Sequence, residues 1–203
     1  MRTGWQPALT TMAPSPTDEV GDAELVRRAQ GHATAFGPLY LRYRDRVLRY
    51  CLYRLGDLAE AEDATSAVFI NALRGITSVR DDDASFRPWL FRIAHNEVVD
   101  RYKRRSLRPE TALAAADDLV DPGPSPEEAA MTVEAVGRLR TLLGGLPPRE
   151  RAVLELRLAD LTTAEIAAVL GSTEGSVWTA QSRGLAKVRD AMGVRTGSVR
   201  VNA

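Results

Sequence analysis

Cysteine is nearly absent from this chain of 203 residues, where Cys51 stands alone. One thiol closes no internal bridge, so no disulfide framework holds the fold, and the usage fits a reducing cytosol. Histidine is almost as scarce, at two, and with one cysteine this is too few ligands for an ordinary zinc site. Nothing in the composition implies a metal or another cofactor. Long apolar runs are also missing. No stretch of roughly 18 apolar residues occurs, which excludes insertion in a membrane through an ordinary spanning helix. The opening MRTGWQPALTTMAPSPT has no continuous apolar stretch of signal-peptide type, so a cytoplasmic location is expected. Net charge is missing as well, because Lys+Arg and Asp+Glu both total 27. That excludes polyanion binding by bulk charge and leaves room only for a local basic face.

What is present is enough to build a core, at 44% hydrophobic and 27% charged residues. The length suits one large domain or two small ones. The zero balance conceals a division along the chain. Residues 1–21 carry net −1, 22–105 net +3, 106–128 net −5, 129–192 net +1 and 193–203 net +2. The stretch DDLVDPGPSPEE (117–128) holds three prolines, a glycine and clustered carboxylates, and reads as a linker. Residues 1–21 and the tail 193–203 read as disordered. No internal repeat occurs.

Between these breaks the period is helical. Leu39, Tyr43, Val47, Tyr50 and Leu55 form a loose apolar stripe. Ala64, Val68 and Leu73 continue the theme, with Phe69 and Ala72 beside them. A third helix starts near Pro88, buries Leu90, Ile93, Ala94 and Val98, and runs into Arg101-Tyr102-Lys103-Arg104-Arg105. No convincing strand period appears. The expected fold is all-α: a helical domain over 22–105, a flexible acidic linker over 106–128 and a second helical domain over 129–192.

The strongest local signal lies in 161–190. Thr162 and Glu165 have the spacing of a capping box. Ile166, Val169 and Leu170 give the apolar face of the helix they start. Ala167 is small where two helices must cross, Gly171 follows at +4, and Val177 at +10 points back to the core. This is the spacing of a DNA-binding helix-turn-helix. Leu185 and Val188 are expected to complete the inner face of its second helix. Glu174, Trp178, Thr179, Ser182, Arg183 and Lys187 are left outside, where the start of a recognition helix reaches base edges. The bland reading is an αα-hairpin with a solvated polar face. Upstream, LPPRERAVLELRLADL (146–161) starts with paired prolines, and Val153, Leu156 and Leu161 read as core. Arg149, Arg151 and Arg157 read either as phosphate contacts or as solvated side chains.

At this point the residues resemble a known family. AEAEDATSAVFINAL (59–73) resembles the signature of region 2 of bacterial RNA polymerase sigma factors, and FRPWLFRIAHNEVVDRYKRR (86–105) resembles its continuation. LPPRER and the helix-turn-helix resemble region 4. With two regions and a short link, the chain is similar to an extracytoplasmic-function (ECF) sigma factor over roughly residues 22–192. The resemblance implies docking of region 2 on the clamp helices of the largest polymerase subunit through Asp63, Ser66, Ala67 and Asn71. Many members carry Gln-Glu where this chain has Ser66-Ala67. It implies that Asn96 lies at the pocket for a flipped minus-10 base, with Lys103, Arg104 and Arg105 on the adjacent phosphates. Trp89, Phe91 and Tyr102 are candidates for base stacking, although Trp89 fits the core better. The resemblance further implies that Trp178, Thr179, Ser182, Arg183 and Lys187 read minus-35 DNA, that region 4 grips the flap of the second-largest subunit, and that an anti-sigma factor is a candidate partner. The acidic linker has two readings, as a phosphate mimic in the polymerase channels or as a solvating spacer.

Three functions compete on these residues. The first is a promoter-specificity subunit with polymerase core and promoter DNA as partners and no chemistry of its own. The second is a stand-alone helix-turn-helix regulator with a sensing or dimerising domain. The third is an enzyme using Cys51 with His95 or nearby carboxylates, against which Cys51 reads as a small core residue and His95 as a packed or surface one.

Overall fold

A computed structural model describes residues 20–79, 86–106 and 137–193. The segments 1–19 and 194–203, and the acidic linker from residue 107 onward, lie outside the described residues. Every described element is a helix or helical turn: α1 (Asp22–Gly31), α2 (Gly37–Leu55), α3 (Leu58–Gly75), α4 (Phe86–Ser106), α5 (137–144), α6 (Pro148–Leu158), α7 (Thr163–Leu170) and α8 (Glu174–Ala191), with 3₁₀ turns at Ala33–Phe36 and Ile76–Ser78.

The helices start and stop for local reasons. Pro38 sits in the first turn of α2, where its missing N–H costs nothing. Gly56 ends α2 at φ 79°, a left-handed conformation that favours glycine. The Asp57 side chain then accepts from the Glu60 amide at 2.7 Å and starts α3. The expected stripe of α2 is buried throughout. On α3 the inner row is Ala61, Ala64, Val68 and Ala72. Leu73, expected inside, is turned outward one step beyond Ala72 and is among the exposed apolar residues. Helix α4 begins at Phe86, with Pro88 in its first turn, and buries Leu90, Phe91, Ala94 and Val98, while Ile93 is half-buried.

The capping box before α7 is formed in both directions: the Glu165 amide donates to Thr162 Oγ1 at 3.3 Å, and the Thr162 amide donates to Glu165 Oε2 at 2.7 Å. Gly171 takes φ 59° and makes the turn into α8, which Thr173 caps. The inner row of α8 is Val177, Ala180 and Gly184, with Val188 half-buried behind them. Leu185, expected inside, is 44% exposed. The reason is the close crossing of α6: a Cβ on Gly184 would lie 3.0 Å from Leu154 Cδ1, so the smallest residue takes the crossing point. Thr162→Ala removes one cap and is expected to cost about 1 kcal/mol, lowering the midpoint of thermal unfolding by roughly 2–4 °C. Differential scanning calorimetry checks this.

The two groups of helices are not separate in space. Helix α4 packs on α7, and α2 packs on α6. One buried cluster runs from Leu25 on α1 to Ala180 on α8, and a smaller one joins Leu143, Leu146 and Leu154.

Candidate nucleic-acid and polymerase interfaces

Helix α8 presents its outer row as the helical period requires. Trp178 is 67% exposed, and Glu174, Thr179, Ser182, Arg183 and Lys187 are exposed with it. Thr179 Oγ1 donates to the Gly175 carbonyl at 2.8 Å, one turn back. Lys187 leans inward, with Nζ 2.9 Å from Glu150 Oε2. Arg183 lines a cleft of about 420 Å³ with Pro147, Arg149, Glu150, Gly175, Ser176 and Thr179. Arg149 Nη2 donates to Ser176 Oγ across that cleft at 2.6 Å. The one carboxylate of the cleft, Glu150, is engaged by Lys187, and the two guanidinium groups beside the positive end of α8 suit an anionic oxygen such as a DNA phosphate. Arg151 and Arg157 have internal partners instead. Arg151 Nε donates to Glu155 at 2.7 Å. Arg157 donates to Gln181 Oε1, Thr163 Oγ1 and the Leu161 carbonyl, binding α6, α7 and α8 into one joint.

On α4, Arg92, Asn96, Asp100 and Lys103 follow one another at four, four and three residues and are all exposed. Arg92 was not singled out from the sequence, although its place four residues before Asn96 marks it as sharing that row. Lys103 lies 3.5 Å from Asp100, Arg104 3.6 Å from Glu97 and Arg105 3.8 Å from Glu60. These contacts are long and their basic partners open to water, so each is weak. The stacking candidates are placed otherwise. Phe91 is buried, its ring 5.8 Å from that of Tyr50. Tyr102 is half-buried and its hydroxyl donates to the Arg54 carbonyl. Trp89 is half-buried against Phe86, as a core residue would be.

On α3, Asp63, Ser66 and Asn71 are exposed and Ala67 is half-buried, all on the side away from the core. Ile70 stands among them at 49% exposure, with Leu73 beside it. Tyr40 of α2, itself partly exposed, packs its ring 4.8 Å from the buried Phe69 of α3. Sequence reading missed Ile70 and Tyr40. An apolar residue in the middle of an outward polar row was the available signal.

The enzyme reading meets unsuitable chemistry. Cys51 is fully buried, and burial pushes its thiol up to about 11, against a hydrogen bond with Thr65 that acts the other way. Burial, and then the Arg54 charge, pull His95 down to about 4. Its Nδ1 lies 3.1 Å from the Tyr50 hydroxyl. The unfolded chain takes up a proton near the ordinary value of 6.5, whereas the folded chain resists until about 4. Between those values stability falls as pH falls. His95→Gln is expected to flatten that part of the profile, as urea unfolding at pH 7 and pH 5 would show.

Both groups of helices match known sequence families. Residues 39–108 match Sigma-70 region 2, and residues 137–188 match Sigma-70 region 4. The chain is 31% identical to the ECF RNA polymerase sigma factor SigW of Bacillus subtilis over 169 residues, covering 79% of this chain and 90% of SigW. The chain belongs to the ECF RNA polymerase sigma factors. It is also 38% identical to the ECF sigma factor BldN of Streptomyces coelicolor, covering 82% of this sigma factor and 64% of BldN's own length. The solved structure of CnrH in complex with the cytosolic domain of CnrY shares the fold, with a TM-score of 0.66 at 24% identity over 85% of this chain and 97% of that one. The expected all-α architecture with region 2-like and region 4-like halves is thereby met. A stand-alone regulator is not favoured, because region 2 has no place in it. Among the described residues no helix is long and apolar enough to cross a membrane.

Proposed function

We propose that this sigma factor directs RNA polymerase core to its promoters by holding two DNA elements with two exposed basic rows. The observation that carries the proposal is the presence in one chain, in order, of both sigma regions, each with its outer row unburied. Region 4 reads minus-35 DNA through Trp178, Thr179, Ser182, Arg183 and Lys187, with Arg149 on a phosphate. Region 2 reads and melts minus-10 DNA through Asn96, Arg92, Lys103, Arg104 and Arg105. The α3 face with Asp63, Ser66, Ala67, Asn71 and Ile70 docks on the clamp helices, and region 4 contacts the flap. The working division of the chain is 22–105, 106–128 and 129–192. The sigma factor has no chemistry of its own, which the protonated, buried Cys51 thiol supports, and it acts in the cytoplasm, where its polymerase works. An anti-sigma factor is a partner in this reading. RpoE of Bartonella quintana, of similar fold at 16% identity, was solved with the anti-sigma factor NepR.

Fluorescence anisotropy on a labelled promoter duplex tests the proposal. The chain with core polymerase should bind the duplex specifically, and the chain alone only weakly. Equal specific affinity with and without polymerase would restore the stand-alone regulator.

A further inference from the structure

Helix α8 turns chemically different rows to water. Its inner row is Val177, Ala180, Gly184 and Val188. Directly opposite stand Gly175, Thr179, Ser182 and Ala186, all exposed, at spacings of four, three and four residues. One flank is basic. Lys187 meets Glu150 near the start of α6, and Arg183 shares a cleft with Arg149 there. The other flank is apolar. Trp178 is 67% exposed, and Leu185, seven residues on, is 44% exposed. Gln181 stands between them on that flank and is tied to Arg157 in the last turn of α6.

No side chain of the outermost row is longer than threonine. Short side chains let a helix axis come close to the floor of the major groove, which is roughly 12 Å wide and admits one helix. A helix so seated turns its two flanks to the two strands. The basic flank suits phosphate and guanine. The apolar flank needs another target. An indole has one polar atom, an N–H that only donates. Guanine, adenine and thymine each offer it an acceptor in the major groove, so that hydrogen bond separates none of the three. The C5-methyl group of thymine does, because it is the apolar group that marks one base among the four. Among the described residues the Trp178 ring has no ring partner and its Nε1 has no acceptor, so neither ties the side chain back to the protein.

We propose that Trp178 makes this region 4 select thymine in the minus-35 element, by packing its indole against the C5-methyl group, while Arg183 and Arg149 hold the other strand. The inference rests on the minus-35 reading of α8 and adds the base which that reading prefers. The contact works by removing apolar area from water, so it lacks the salt dependence of the phosphate contacts on the basic flank. Leu185, Thr179 and Ala186 also present methyl groups on the outward side of α8, and variants at Trp178 distinguish it from them.

The probe is a labelled duplex of a promoter recovered by run-off transcription from a genomic fragment library, with 2′-deoxyuridine replacing the minus-35 thymines of either strand one at a time. Uracil lacks only the C5-methyl group and pairs as thymine does. Anisotropy of the full chain with core polymerase, at one fixed salt concentration, is expected to show a loss of affinity of about three- to fivefold at one such position. Trp178→Phe keeps an apolar ring without the N–H and should keep most of that penalty. Trp178→Ala should bind the thymine and uracil duplexes alike. Equal binding of every uracil duplex by the wild-type chain would overturn the proposal, whether or not a variant folds. A selected element without an A·T pair would overturn it too. An undiminished uracil penalty in Trp178→Ala would also overturn it, and would pass the contact to Leu185, Thr179 or Ala186. Failure of chain and polymerase together to select any duplex would instead remove the minus-35 reading itself.

Discussion

Arg183→Ala will lower transcription from a cognate promoter by about 5- to 150-fold, corresponding to a loss of ~1–3 kcal/mol for one good base or phosphate contact. The size follows from where Arg183 stands. It is exposed on α8 and lines the cleft with Arg149, Ser176 and Glu150, whose carboxylate is engaged by Lys187. Lys187 beside it is held by Glu150, so its loss should matter less. The defect must be confined to the upstream element. On a promoter whose minus-35 sequence is already mutated, Arg183→Ala and the wild type should give equal run-off product, and affinity for core polymerase should be unchanged. An equal defect on both promoters would remove Arg183 from base reading.

Asn96→Ala is expected to act at a later step. A base taken out of the stack forfeits pairing and stacking worth a few kcal/mol, and the pocket that receives it must return that energy. Asn96 is exposed at the middle of the α4 row, able both to donate and to accept hydrogen bonds. Its loss should leave binding to duplex promoter within about twofold and reduce the open fraction roughly tenfold or more. Permanganate reactivity of thymines in the bubble reads this directly. Normal reactivity in the variant would move the base pocket elsewhere on α4. Phe91 is no substitute, since its ring is spent on Tyr50, and Tyr102 is held by the Arg54 carbonyl.

Much of the fold was legible because its helices obey one period with clear stops. The α2 stripe, the Thr162–Glu165 box and the Ala167–Gly171–Val177 spacing each rest on neighbours within a few turns, and each is present as read. Leu73 and Leu185 were misplaced for one reason. In each case a smaller neighbour, Ala72 or Gly184, occupies the inner position, at Gly184 because α6 crosses closely there, and hydrophobicity alone ranks the larger residue first. Phe91 looked available for stacking because aromatic character does not reveal which way a side chain faces. The bridge from Arg54 to Glu155 spans 101 residues of sequence, so no local pattern announces it. In isolation each of those charges reads as a solvated helix residue. The exposed rows were legible as periodicity, whereas their functional assignment came from the likeness to region 2 and region 4.

The central claim is that this chain finds promoters as part of the polymerase, with both halves engaged. Run-off transcription with purified core polymerase on a genomic fragment library tests it most directly. The account predicts new start sites that depend on the added chain and lie downstream of two sequence elements at a fixed spacing, with loss of either element abolishing the product. If the chain gives no start sites with core polymerase, yet selects a single duplex site unaided, the account is contradicted.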